Sequence, residues 1–396
     1  MVTVGEGRAR PARCRDRQVY LLSHPVIFAL LAATRGRTVT RLGGTVLIQG
    51  TEAFREALTT LPLDRTAAGT TGGLAHALTE DGVLFDQDGP AHRAARRSLA
   101  ADLSAAGIER LRPVWRAILS RQLAALGAGG DVDLVQASAE LAGATVCALL
   151  ALDADPVAVA RAAGAVAAAA TREHLLGIPR PGASRTLAAA TDHLIRLLGP
   201  QRLAAAGMTA DAGMTADAGM TDAAGRAVML AIAAVNTTTA GIPRAVAWCA
   251  DSRLWPDADS AERREVLARE LLRVTAPTAL LPRVAAADGI VGGRRIRKGD
   301  RLILVARHAA GAHRAGPDCD RPAPPQVAQL VFGAGAHACP GAALARAQLG
   351  ETLQLLAPYR PVVVRARASR RSGLPGWATL VVRAGPQSRP SGDSCS

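Results

Sequence analysis

The apolar residues of HPVIFALLAATR, residues 24–35, recur with helical spacing. The pattern then changes: RTVTRLGGTVLIQG alternates polar and apolar residues around Gly43-Gly44, which predicts a β-hairpin. Thr51 follows as the expected N-cap of a short helix, EAFREALTT. From Pro90 to about residue 200 helix follows helix, broken at GAGGDVD (127–133) and GIPRPGAS (177–184). Residues 223–250 predict a long apolar helix interrupted at NTTTAGIP, and a further helix covers 261–275. Strand-like pieces stand at 283–286 and 301–306. The chain closes with a helix after Pro340 and β-like ATLVVRAG (378–385).

These elements predict one large domain over 22–385, mainly α with a small β part. The arginine-rich tip (1–21) and the tail (386–396) are expected to be disordered. Inside the domain, GMTADAGMTADAGMTDAAG (207–225) is a near-perfect six-residue repeat. Its period is too short for a solenoid unit, so it reads as a low-complexity linker of small residues.

Composition supports helix: 49% of residues are hydrophobic but only 3% aromatic, leaving Ala, Leu and Val to fill the core. The formal charge is +14, almost all of it arginine, since Lys298 is the one lysine. The arginines are scattered and no basic segment is interleaved with aromatics, which argues against nucleic-acid binding. An acidic protein partner fits such a surface better. The six cysteines form no CxxC pair and no dense framework, so most read as reduced intracellular thiols. VYLLSHPVIFALLAAT is too short and too broken to span a membrane. A cytoplasmic protein with no membrane association is the expectation.

One cysteine stands apart. In FGAGAHACPG, Phe332 to Gly341, Cys339 lies in a glycine-rich loop that opens a helix, where backbone N–H groups and the helix dipole favour thiolate. Nucleophilic use would want a base, and His337 is only two residues away, a spacing that rarely brings side chains face to face. Zinc would want three or four ligands, and no such cluster is nearby. A lone thiolate suits haem iron, which needs one axial cysteine. Upstream, Glu270 and Arg273 of ELLR share one helix face and can grip a third group.

Phe332-x-x-Gly335-x-His337-x-Cys339-x-Gly341 resembles the haem-binding signature of the cytochrome P450 family. The resemblance runs from about residue 22 to 385 and implies the P450 fold, with a long central helix over haem b and Cys339 as the axial ligand. It implies that Glu270 and Arg273 lock the loop leading to the cysteine, with Arg321 of PDCDR as the third member. His92 and Arg96 resemble the family's HxxxR pair, which binds a haem propionate; Arg283 matches a second propionate arginine and His337 a third contact. Pairing these cations with carboxylates is strong chemistry when partly buried.

The long helix departs from the family pattern. Where an acid followed by threonine is expected, the chain reads Asn236-Thr237. Thr237 can hold a water in the helix groove, whereas an amide cannot titrate and can only orient water. Pro243 should kink this helix and leave the Thr239 carbonyl unpaired. VARHAAGAH (305–313) is a second departure, in the segment before Arg321.

The resemblance implies a monooxygenase that takes electrons from a separate ferredoxin and its reductase, docked on a basic surface around the cysteine loop. The substrate class expected is a small, fairly apolar organic molecule of secondary metabolism. Oxidative coupling, desaturation or rearrangement without oxygen insertion is the alternative that Asn236 keeps open. A non-catalytic haem-binding protein is a minor one.

Overall fold

The computed structural model describes residues 4–77, 83–174, 182–199 and 222–386. Gly43, at φ 60°, turns the chain between β1 (Val39–Leu42) and β2 (Thr45–Ile48), the expected hairpin. A five-stranded sheet grows from it in the order β1-β2-β8-β5-β3. Here β3 is Leu63–Asp64, β5 is Leu281–Ala285 and β8 is Arg301–Leu304. Only the β2–β8 pair is parallel; the others are antiparallel. Strands β4 (Asp131–Asp133), β9 (Val362–Ala368) and β10 (Trp377–Arg383) make a second sheet, and β6 (Gly289–Val291) and β7 (Arg294–Ile296) a small hairpin.

Helices form the rest. The N-terminal pair is α1 (Val4–Ser23) and α2 (Pro25–Thr34); α3 (Thr51–Thr59) and α4 (Thr71–His76) follow the hairpin. A helical block comprises α5 (Gly89–Ala100), α6 (Ala105–Gly127), α7 (Leu134–Leu149), α8 (Pro156–His174) and α9 (Ala183–Leu198). Then come α10 (Asp222–Asp251) and α11 (Ala261–Thr275). The short α12 (Ala306–Ala309) and α13 (Pro325–Ala328) precede α14 (Ala342–Leu356), which starts just past the cysteine loop.

The long helix α10 joins two cores. Its first half, with Ala227, Val228, Ala231 and Val235, packs among α7, α8 and α9. Its second half, with Ile242, Val246 and Cys249, packs with α6, α11 and α14. Between them Asn236 to Thr239 are only half-buried, because they belong to neither core. The helix runs unbroken through NTTTAGIP and Pro243, where an interruption is expected from sequence. Burial on both sides outweighs the weak local propensity. The Thr237 and Thr239 hydroxyls donate back to the carbonyls of Ala233 and Val235.

Two expectations need correction. A disordered tip is expected over 1–21, but α1 occupies this span from Val4 and buries Ala12, Asp16, Val19 and Tyr20. These four recur at helical spacing, masked in the sequence by the three arginines Arg13, Arg15 and Arg17 among them. Thr51 is not the N-cap of α3; Gly50 is, and the Thr51 hydroxyl instead donates to the Ala309 carbonyl at 2.8 Å. The helix after GIPRPGAS begins at Ala183, but most of that break lies outside the described residues. So do residues 207–221 of the repeat and 387–396 of the tail.

Candidate active site

The cysteine loop is built by backbone geometry. Gly333 and Gly335 both take left-handed φ, 80° and 71°, which a side chain would strain. A Cβ at Gly335 would also stand 3.1 Å from the Leu58 carbonyl, so the loop lies hard against the end of α3. The Cys339 N–H donates to the Phe332 carbonyl at 2.7 Å, closing the loop on itself. Gly341 caps α14, and its N–H points at the Cys339 sulfur. Pro340 precedes that cap and stands outside the helix.

The Cys339 thiol is solvent-accessible although protein surrounds it, so it opens onto a recess. Burial raises its pKa; the Gly341 N–H, Arg96 and Arg346 pull the other way. Arg346 projects from the first turns of α14, with its guanidinium 5.2 Å from the centre of the Phe332 ring. Arg96, on α5, donates to the Ala338 carbonyl at 2.6 Å. A cavity of about 370 Å³ lies between α5 and the loop, lined by Arg96, Arg97, Leu99, Ala100, Leu103 and Pro340.

Beside the loop the structure gathers two histidines and two arginines. His92 is buried on α5, which is capped by the Asp88 carboxylate accepting from Gly89 N–H. The His92 ring stacks on His337 with centroids 3.8 Å apart. Burial, Arg65 and His92 push His337 down to about 4, against the opposing pull of Asp88 3.5 Å away. His92 is likewise lowered, by burial and then by Arg96. Both rings are therefore neutral at pH 7.

Arg283 projects from β5, and burial with the nearby Arg65 lowers it to about 10. The pairing of β3 with β5 sets Leu63 against Ala285 and Asp64 against Val284. Arg65 follows directly on β3, and its charge acts on Arg283. Like charges held near each other repel. The Nε atoms of both arginines are buried without a hydrogen-bond partner.

Two arginines held together with unpaired donors call for an anion. The two propionates of haem meet that need, as the Cys339 sulfur meets the need of its iron. The residues present fit haem: Cys339 as axial ligand, and Arg65, His92, Arg96, Arg283 and His337 toward its carboxylates. Arg65 is the member that sequence reading missed.

The Glu270–Arg273 pair is buried on α11 and bidentate, with N–O distances of 2.9 and 2.6 Å. Arg273 also donates to the Ala310 and Gly316 carbonyls, and Glu270 accepts from the N–H groups of Asp318 and Ala323. The pair thus clamps the 310–323 stretch that leads to the cysteine loop. Arg321 takes no part, contrary to expectation. Its side chain is 86% exposed and reaches only Asp318, because main-chain groups fill the third place.

On α10, the Thr237 hydroxyl donates to the Ala233 carbonyl at 2.8 Å. The Asn236 amide donates to the Ile232 carbonyl at 2.7 Å and reaches the Ala163 carbonyl on α8 at 3.4 Å. Its donors are thereby committed to main chain.

No family model matches the chain. It is 34% identical over 139 residues to putative cytochrome P450 140 of Mycobacterium tuberculosis, covering 34% of this chain and 30% of that protein. It is 41% identical over 119 residues to mycocyclosin synthase of the same organism, covering 26% and 29%. The chain thus matches less than a third of the length of these curated relatives. Solved structures match far more of it. Mycobacterium smegmatis CYP164A2 superposes with a TM-score of 0.72 at 23% identity, over 94% of this chain and 100% of the other. A mutant of P450 EryK in complex with erythromycin B superposes at 0.72 with 21% identity, over 93% and 99%. Fold along nearly the whole chain and sequence within parts of it both resemble those of bacterial cytochromes P450.

Proposed function

We propose that the protein is a haem-thiolate monooxygenase that oxidises a small, fairly apolar organic molecule, with electrons from a separate ferredoxin. The observation that carries this reading is the juxtaposition of the Cys339 loop with Arg65 and Arg283, whose charges act on each other and whose buried Nε atoms have no hydrogen-bond partner. Haem bound there supplies reductive activation of O2, and thiolate ligation favours O–O cleavage. Cys339 would hold the iron, with Gly341 N–H and Arg96 stabilising the sulfur as thiolate. Arg65, Arg283 and Arg96 would orient the group through its carboxylates.

Thr237, half-buried between the two cores, can turn its hydroxyl from the Ala233 carbonyl to a water and so hold a proton donor in the site. Exposed Arg93 and Arg97 on α5, beside the recess at Pro340, support docking of an acidic electron donor. The described cysteines are free thiols, in keeping with a reducing, cytoplasmic setting.

A second reading, oxidation without net oxygen insertion, is favoured by Asn236. Its amide donors are tied to the Ile232 and Ala163 carbonyls and it cannot titrate, so it does not relay protons as an acid would. A local relative named as a synthase is in keeping with that reading. Product mass separates the two: a gain of one oxygen against a loss of hydrogens.

The first test is the absorption spectrum of the reduced protein under carbon monoxide, beside Cys339→Ser. A long-wavelength Soret band that the substitution abolishes is expected. A normal-wavelength band in the unaltered protein would overturn the thiolate assignment and the reaction with it.

A further inference from the structure

The outer face of α2 carries no polar side chain. Its inner residues Ile27, Phe28 and Leu31 pack on Leu47, Ala279 and Val305. The opposite face shows Val26, 72% exposed, with Ala29, Leu30 and Ala33 beside it, and Leu21 and Leu22 at the end of α1 extend it. A helix packed on one side of a water-facing protein normally presents polar residues on the other. Isolated exposed leucines need no explanation, but a contiguous apolar helix face does.

Arginines flank the two helices along the chain. Arg17 lies on the exposed side of α1, and Arg35 and Arg37 follow the end of α2. The Ser23 hydroxyl donates to the Ser369 carbonyl at 2.9 Å, which brings exposed Arg370 and Arg371 alongside Leu22. The segments that carry them hold no acid: the sequence has no Asp or Glu between Asp16 and Glu52, nor between Glu351 and Asp393. Asp16 itself is buried against Arg244.

We infer that this face docks the protein on the surface of an anionic lipid bilayer. Val26, Leu30, Leu21 and Leu22 would enter the boundary between headgroups and acyl chains, while the arginines lie against phosphates. The face is the outside of a helix rather than a groove, and it offers no hydrogen-bonding side chain to specify a protein partner. Apolar insertion with a cationic collar is the chemistry a negatively charged bilayer selects. Among the described residues no helix is long and apolar enough to cross a membrane, so the contact is with one leaflet.

The test is co-sedimentation of the full-length holoprotein with phosphatidylcholine–phosphatidylglycerol vesicles, against vesicles of phosphatidylcholine alone. The unaltered protein is expected to sediment with the anionic vesicles and release in high salt. Val26→Glu/Leu30→Glu is expected to weaken binding by about tenfold or more, as is Arg370→Glu/Arg371→Glu. Both alter exposed positions, and an unchanged Soret spectrum verifies that each variant keeps its fold. Absence of binding to anionic vesicles would overturn the inference. So would binding undiminished by Val26→Glu/Leu30→Glu, which reports attraction by overall charge. A dimer in solution that this same substitution dissociates would overturn it too, by assigning the face to a second copy of the chain.

Discussion

Asp16 on α1 and Arg244 on α10 form an ion pair at 2.7 Å in which both side chains are almost fully buried. Tyr20 completes the arrangement: its ring lies 4.4 Å from the Arg244 guanidinium, which donates to its hydroxyl, and that hydroxyl donates to the Thr275 carbonyl. One residue of the N-terminal helix thus neutralises a charge in the last third of α10, and Tyr20, one turn on, caps the end of α11. Removing one partner strands the other's charge in the interior. Asp16→Ala or Arg244→Ala should therefore cost about 3–5 kcal/mol of unfolding free energy. The double variant Asp16→Leu/Arg244→Met should recover much of that loss. Urea unfolding of the three proteins decides; single variants within about 0.5 kcal/mol of the parent would mean the pair is not structural.

Arg65 and Arg283 make a distinct prediction about the cofactor. Each lost charge-assisted contact to a carboxylate should weaken haem binding by roughly ten- to a hundredfold. Arg65→Leu and Arg283→Leu should thus raise the haem concentration needed in a Soret titration. The same substitutions remove mutual repulsion from the haem-free chain, so its thermal midpoint should hold or rise. Weaker haem binding together with a lower haem-free midpoint would point to a merely structural role.

Asn236 sets the third test. A carboxylate at this position cannot donate to the Ile232 and Ala163 carbonyls, so Asn236→Asp must turn away from α8. A titratable group then becomes available to Thr237 one residue on. Haem content should be unchanged, while the fraction of electrons recovered in product should change. Measuring product formed against reductant consumed reads this directly. Unchanged rate and coupling would sink the idea that this position governs proton supply.

What could be read in advance was local. The Cys339 loop is a string of ten residues whose glycines carry their reason with them, and α11 begins and ends where its pattern does, at Ala261 and Thr275. What could not be read depends on pairing between distant segments. Arg65 gains its role only when β3 lies against β5, and nothing near it in the chain says so. The burial of α1 depends on Arg244, which looks from sequence like any other helical arginine. The segment around Arg321 points to it as the third member, yet main-chain groups of Ala310, Gly316, Asp318 and Ala323 fill the place beside Glu270 and Arg273. Backbone substitutes for side chains leave no mark in a sequence.

The atypical segment at 305–313 leads to a prediction about acid. His308 is buried, donates from Nδ1 to the Gln49 side-chain oxygen at 2.6 Å, and packs its ring 4.4 Å from that of His313. Burial lowers His308 to about 3 and His313 to about 4, and Arg307, Arg314 and Arg35 reinforce both. In the unfolded chain both rings titrate near the ordinary histidine value of about 6.5. Above that pH neither state is protonated and the pair has no effect on stability. As pH falls below it, the unfolded chain takes up protons that the folded one refuses, and stability is lost progressively down to about pH 3–4. His308→Gln, which keeps a partner for Gln49, should flatten the fall in unfolding free energy between about pH 6.5 and 4. Parallel stability curves for the parent and the variant across that window would show that His308 is not held neutral by its surroundings.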